Sequence, residues 1–291
     1  MRVSPARRAA SPVGVVKRQL DAIGRRPRKQ LGQHFLAAPR IAQRIVDLAQ
    51  LRATDRVVEI GPGLGALSAL LAPRVRRLWL IEVDPVLADR LRTQFVAQPG
   101  VQVVAADVLT VDFRTVLGAG EPAVVVANLP YNIATAVLAR LLQSPGCFRR
   151  MVLMLQREVA ERLRAQPGTK AYGVLAVMTQ FAARVQPALR VGPSAFVPRP
   201  NVESEVVVIE PLDRPPVPVA DAAAFGRVVR TAFNQRRKQL ANSLRPLCTD
   251  PGAVLRVAGI DPTRRPETLT LAEFAALADA LGIHETTDNR A

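Results

Sequence analysis

Four stretches of this 291-residue chain place a glycine or a polar residue directly after a short, largely apolar run. Glycines stand at 61, 63 and 65 after Arg56-Val57-Val58-Glu59-Ile60, and Glu82 follows Leu78-Trp79-Leu80-Ile81. Asp107 comes shortly after Val101-Gln102-Val103-Val104, and Asn128 follows Ala123-Val124-Val125-Val126-Ala127. These residue types suit a bound nucleoside. Glycines let the backbone approach a ligand and turn sharply into a helix. A carboxylate such as Glu82 can accept from both hydroxyls of a ribose diol, and Asp107 can accept from an adenine amino group. Taken alone, the glycine stretch is ambiguous. Gly61-x-Gly63-x-x-Ala66, with an acid 21 positions after Gly61, also fits a dinucleotide fingerprint. Nicotinamide-dinucleotide binding therefore stays open, as does a plain turn beside a solvated acid. Glu59 before the loop and Pro62 within it suit a small zwitterion better than a pyrophosphate.

The second cluster is Asn128-Leu129-Pro130-Tyr131-Asn132. An adenine N6 amine is a poor nucleophile because its lone pair is delocalised into the ring. The Asn128 carbonyl and a neighbouring backbone carbonyl can accept from its N–H groups, which orients the amine and favours the pyramidal form that attacks. Pro130 fixes the turn and keeps Leu129 extended. Tyr131, one of two tyrosines in the chain, offers a flat face for a base to stack on. An Asx turn beside a packed tyrosine is the alternative. No general base is needed: an amine that attacks a sulfonium methyl becomes a cation acidic enough to lose its proton to water. Catalysis would then rest on positioning and preorganised hydrogen bonds.

These residues need a scaffold that brings four run ends together. Strands are expected at 56–60, 78–81, 101–104, 123–127, 151–155, near 181–190 and at 204–210. Helices are expected from 39, at 66–71, 86–95, 133–142 and 156–165. Strands alternating with helices imply βαβ units and a parallel sheet, and the strongly apolar strands suit a sheet covered on both faces. In such a sheet, ligands bind beyond the carboxyl ends of the strands. Residues 211–219 are Pro-rich and read as a linker. Beyond them Asp221 can cap a helix carrying Phe225, Val229 and Phe233 at four-residue spacing.

Composition narrows the partners. Forty Lys and Arg against 24 Asp and Glu give a net charge of +16, which favours a polyanion such as nucleic acid over ordinary surface charge. Residues 1–28 hold eight of the basic residues and one acid, Asp21, without apolar periodicity. They read as a basic, flexible arm able to contact phosphates; an Arg-rich start also fits an organelle transit peptide, whereas no apolar core of a secretory signal is present. Two cysteines, Cys147 and Cys248, and two histidines, His34 and His284, make a metal cluster or disulfide framework an unlikely design. An intracellular, metal-free protein is expected.

Lys29-Gln30-Leu31-Gly32-Gln33-His34-Phe35-Leu36, Glu59-Ile60-Gly61-Pro62-Gly63-Leu64-Gly65, Glu82-Val83-Asp84, Asn128-Leu129-Pro130-Tyr131-Asn132 and Phe196-Val197-Pro198-Arg199-Pro200-Asn201-Val202-Glu203-Ser204 resemble, as a set, the ribosomal RNA adenine N6,N6-dimethyltransferases. Phe233–Leu244 is similar to the small-subunit branch rather than the branch that modifies 23S RNA. The resemblance implies an α/β, Rossmann-like class I methyltransferase fold with a mostly parallel seven-stranded sheet and a small C-terminal helical domain. The implied division is a basic arm over 1–28, a methyltransferase domain over 29–211, a linker over 212–219 and a helical RNA-binding domain over 220–291. It implies S-adenosylmethionine as methyl donor, with no metal, held by His34, Leu36, Gly61, Gly63, Glu82, Asp107 and Asn128. Asn128, Leu129, Pro130 and Tyr131 would form the catalytic turn, Phe196 the other wall of the adenine pocket, and Arg236, Arg237 and Lys238 an RNA contact on a basic helix. Many relatives carry Asn where this chain has His34; both can donate to the methionine carboxylate. The implied activity is dimethylation of two adjacent adenosines in a hairpin near the 3′ end of 16S RNA, in the 30S particle, by a cytoplasmic monomer. A non-catalytic assembly factor on the same fold is the alternative from another class.

Overall fold

The computed structural model describes residues 11–235 and 238–288. Their contacts divide the chain into two compact units. The first comprises residues up to Arg157 together with Gln186–Glu210, the second Glu158–Val185 and the chain from Pro211 onward. The methyltransferase region expected to run unbroken from 29 to 211 is therefore interrupted, because residues 158–185 pack with the C-terminal helices.

The first unit is built on a sheet of seven strands: β2 (Arg56–Ile60), β3 (Arg77–Glu82), β4 (Val101–Ala105), β5 (Ala123–Asn128), β6 (Phe148–Gln156), β7 (Ala183–Val191) and β9 (Ser204–Pro211). Their spatial order is β4-β3-β2-β5-β6-β9-β7. Neighbours from β4 through β6 run parallel, and β9 lies antiparallel to β6. The apolar runs behave as expected: Val124, Val125 and Val126 are completely buried. Each such side chain contributes about 1.5–3 kcal/mol over leaving it in water. A small antiparallel pair, β1 (Phe35–Leu36) with β8 (Phe196–Val197), joins the Gln33–Leu36 segment to the chain after β7.

α2 (Pro39–Leu48) leads into β2, and helices connect the parallel strands that follow: α3 (Ser68–Leu71), α4 (Pro85–Gln94), α5 (Phe113–Leu117) and α6 (Ala134–Leu142). Ahead of them all, α1 spans Pro12–Ala22, capped by the Ser11 hydroxyl. This corrects the expected flexible arm over residues 11–28. Val16 and Leu20 stand one helical turn apart and pack with Phe35, Leu64, Leu87 and Val197. Arg25 and Arg28 both reach the buried Asp84 carboxylate, at 3.2 and 3.4 Å. Residues 1–10 of the expected arm lie outside the described residues.

The second unit is helical: the end of α7 (Arg157–Leu163), then α8 (Val174–Ala182), α9 (Ala222–Asn234), α10 (Leu240–Ser243), α11 (Pro251–Val257) and α12 (Leu271–Asp288). Asp221 caps α9, its carboxylate accepting from the Ala223 amide at 2.7 Å. Phe225 and Val229 are fully buried, and Phe181 stacks on Phe225 at 4.1 Å. Among the described residues no helix is long and apolar enough to cross a membrane.

Candidate active site

Strand register brings the predicted residues to one edge. Ile60 is level with Ile81 and with Ala127, and Glu82 with Ala105. Gly61, Glu82, Ala106 and Asn128 therefore emerge side by side from four neighbouring strands. A cleft opens there, lined by the loop after β2, by Glu82, Asp107 and Asn128–Tyr131, and by Leu31–Leu36 as a wall.

The glycine loop has the backbone its composition predicts. Gly61, Gly63 and Gly65 have φ of 66°, 58° and 83°, a region costly for residues with a Cβ. At Gly63 a Cβ would also meet the Phe35 ring at 3.0 Å. The loop closes on Glu82: the Gly63 amide donates to Oε2 and the Asp84 amide to Oε1, both at 3.0 Å. The carboxyl, which Val83 also approaches, keeps acceptor capacity for a hydroxyl of a ligand. Burial raises the Glu82 carboxyl above its ordinary range, and these two amides pull it back down.

Glu59 also lines the cleft, completely enclosed, and bonds the Ser68 hydroxyl at 2.5 Å. Burial pushes it up to about 8, with the Ser68 bond opposing and the Glu82 charge adding to the rise. It is thus largely neutral at pH 7 and does not repel Glu82. Its signal in the sequence is a lone carboxylate inside an otherwise apolar strand. Asp107 lies two residues beyond β4, exposed, with Oδ1 accepting from the Leu109 amide at 2.9 Å.

The Asn128 amide is fixed by its neighbour: Nδ2 donates to the His34 carbonyl at 2.9 Å. That leaves Oδ1 as the acceptor end of the group. Asn132 Nδ2 likewise donates to the Gln30 carbonyl at 3.1 Å, so Gln30–His34 is tied to both ends of the Asn128–Asn132 turn. Leu129 is buried, and its amide donates to the Met154 carbonyl. Pro130 and Tyr131 face the cleft, and the Tyr131 hydroxyl shares a 2.6 Å hydrogen bond with Ser204. Burial raises that phenol above its ordinary value, so it stays neutral.

His34 lines the cleft, and its ring is also engaged by protein. Its Nδ1 donates to the Pro198 carbonyl at 2.8 Å, and its ring stacks on Tyr131 at 5.2 Å. With the proton on Nδ1, a neutral ring offers Nε2 only as an acceptor. Donation to a carboxylate through Nε2 would need the imidazolium. Phe196 is elsewhere. It sits opposite Leu36 in the β1–β8 pair, buried in the core with Leu36 and Ala42, and does not line the cleft. An aromatic ring beside a Val-Pro turn reads equally as wall or core, and here the pairing with β1 turns it inward. Arg236 and Arg237 lie outside the described residues; Lys238 is exposed in a bend after α9 ends at Asn234, not on a basic helix.

Comparison with known proteins decides among the chemistries this edge allows. Residues 24–281 match the family model described as ribosomal RNA adenine dimethylase. The chain belongs to the ribosomal RNA adenine dimethylase family. Family membership makes it an enzyme, a methyltransferase, and removes the dinucleotide reading of the glycine loop. Similar proteins include the ribosomal RNA small subunit methyltransferase A of Magnetococcus marinus, 43% identical over 270 residues that cover 92% of this chain and 97% of that one. The protein of the same name from Geobacter metallireducens is 45% identical over 265 residues, 89% of this chain and 96% of its own. Among solved structures, a dimethyladenosine transferase from Plasmodium falciparum superposes with a TM-score of 0.71 at 23% identity, covering 84% and 96% of the two chains. The 23S rRNA methyltransferase ErmE gives 0.62 at 27% identity, covering 85% and 99%. The first likeness speaks for the class I methyltransferase fold alone.

Proposed function

We propose that this protein dimethylates the N6 amines of two adjacent adenosines in a hairpin near the 3′ end of 16S ribosomal RNA. The substrate is the 30S subunit or its precursor, in the cytoplasm, and the donor is S-adenosylmethionine. One observation carries the reading: Asn128, at the sheet edge beside the glycine loop, has its Nδ2 committed to the His34 carbonyl, so Oδ1 is the end that meets an amine. Relatives named as small-subunit enzymes, at 43 and 45% identity across nearly the whole chain, favour the small subunit over the large.

The donor fits the residues present. The left-handed glycines bring backbone against it, Glu82 keeps acceptor capacity for a ribose hydroxyl, and Asp107 accepts from the adenine amino group. S-adenosylmethionine supplies an electrophilic methyl group on a sulfonium. Asn128 Oδ1 accepts one N–H of the target amine, and a backbone carbonyl of the Leu129–Pro130 turn accepts the other. The amine lone pair is thereby turned out of conjugation toward the methyl. His34 covers one face of Tyr131, leaving the opposite face to the target base. After transfer the cationic amine gives its proton to water, and the rate enhancement comes from positioning. The C-terminal region over 220–291 would add RNA contacts, Lys238 with Arg236 and Arg237 among them.

The test is methyl transfer from labelled donor to undermethylated 30S particles, naked 16S RNA and naked 23S RNA in parallel. Label recovered as N6,N6-dimethyladenosine from 30S particles is the expected result. Label confined to 23S RNA would overturn the target.

A further inference from the structure

A groove separate from the cleft runs along α1. Its floor includes Leu20 and Phe196, and its rim carries Lys17, Asp21, Arg26 and Arg199. The three cations are exposed, and none forms an ion pair among the described residues. Arg25, in the same groove, is committed to Asp84 at 3.2 Å. Three unpaired positive charges thus face one acid, on a frame held still by Val16 and Leu20 beneath and by the Arg25 and Arg28 pairs behind. Holding cations on a fixed frame without acidic partners suits a ligand bearing repeated negative charge.

Position narrows the ligand. Arg199 follows Pro198, whose carbonyl holds His34 Nδ1, and the His34 ring lies on Tyr131 in the cleft. A strand whose base enters the cleft beside Tyr131 would have its backbone within reach of this rim. We propose that the groove of Lys17, Arg26 and Arg199 binds the phosphates of the RNA strand that flank the target adenosine. The identity of the RNA rests on the function proposed above; the phosphate chemistry rests on the groove. An exposed cation contacting phosphate contributes through counterion release, with no sequence information.

The experiment compares the full chain with the triple variant Lys17→Ala, Arg26→Ala, Arg199→Ala and with the charge-keeping triple Lys17→Arg, Arg26→Lys, Arg199→Lys. RNA affinity is measured against salt concentration, alongside donor affinity and melting temperature. The alanine triple should flatten the slope of log affinity against log salt by about 2–3, at close to one per lost phosphate contact. It should raise KM for RNA on the order of tenfold or more, with donor affinity and kcat at saturating RNA unchanged. The charge-keeping triple should restore the slope. An alanine triple with the wild-type slope and KM would overturn the proposal. So would a variant that keeps its RNA slope but loses binding to polyglutamate, which would assign the groove to an acidic polypeptide. Wild-type protein that binds RNA but methylates none of the three substrates would instead defeat the proposed function, and the slope comparison would still decide the groove.

Discussion

The cleft and the helical unit place their buried polar groups differently. In the cleft, two carboxylates lie nearly out of water on neighbouring strands, Glu59 at 2% and Glu82 at 4% exposure. Each is only partly satisfied by protein, through a hydroxyl or a pair of amides. In the helical unit several polar groups that go inside are closed off locally, with Thr179 Oγ1 and Glu267 Oε2 the buried exceptions. The Tyr172 hydroxyl donates to the Leu269 carbonyl at 2.9 Å, and Gln180 Nε2 donates to the Leu163 and Ala165 carbonyls. Most of the rest of that interior is aromatic and aliphatic, with Thr179 and Ser243 among it. Buried groups with capacity left over cost stability and can meet a ligand; buried groups fully paired do neither. The first pattern marks a site and the second a packed body.

The comparison breaks most sharply at Asn128. Replacing it with alanine should lower kcat on the order of 10³-fold, the loss seen when a preorganised polar contact to a reacting group is removed. The melting temperature should barely move, because a half-buried strand-end residue adds little to the core. Near-normal single-turnover methylation by Asn128→Ala would end the amine-positioning assignment. The opposite profile is expected at Phe225, completely buried in the helical unit. Phe225→Ala should cost about 3–5 kcal/mol in urea unfolding, with turnover per folded molecule retained.

Glu82→Gln sits between these extremes. It keeps the shape and one acceptor but loses the charge, so donor affinity measured by calorimetry should fall roughly tenfold to a hundredfold, about 1.5–3 kcal/mol for hydrogen bonds to a charged group. An unchanged affinity would remove Glu82 from the ribose site. Glu59 sharpens the contrast through pH. Its folded value, about 8, lies above the ordinary value of 4.5, so the native state holds more protons than the unfolded chain between those limits. Stability therefore falls as pH rises through that window, by at most about 1.4 kcal/mol per pH unit from this group. Glu59→Gln should flatten that decline in urea midpoints measured from pH 5 to pH 8; Glu82, raised in the same direction, keeps part of it. The smallest effect is at Tyr172→Phe, which leaves the Leu269 carbonyl unpaired and should cost about 1–2 kcal/mol without touching catalysis.

Much of the site was legible because chemistry at a sheet edge leaves a local mark. A polar residue that ends an apolar run is visible at Glu82 and Asn128 without knowing what lies beside it, and positive-φ glycines announce themselves by type. Features that depend on distant partners were not legible. Val16 and Leu20 are the buried positions of α1, too few to reveal a packed helix until Phe35, Leu64 and Val197 are seen beneath them. Val174–Ala182 is largely apolar, broken only by Thr179 and Gln180, so its run reads as strand or helix alike, and only its packing with the C-terminal helices shows why residues 158–185 leave the first unit. Phe196 stands as a cleft wall only by the family resemblance; pairing with β1 sends the ring the other way. Nothing near Arg25 or Arg28 in sequence points to Asp84, which they meet only in space.

The wall formed by Gln30–Leu36 has a consequence for when the enzyme becomes competent. That wall is made early in the chain, yet its anchors come late: the His34 carbonyl waits for Asn128, 94 positions on, the Gln30 carbonyl for Asn132, 102 on, and the His34 ring for Pro198, 164 on. Contacts between such distant positions form after the local ones, because long loops must close first. During synthesis the glycine loop and its carboxylates can assemble while the wall still hangs open. A chain that has not yet emerged past Pro198 has the Asn128 and Asn132 anchors but lacks both the hold on the His34 ring and β9 between β6 and β7, so wall and sheet are completed by the same late stretch of chain.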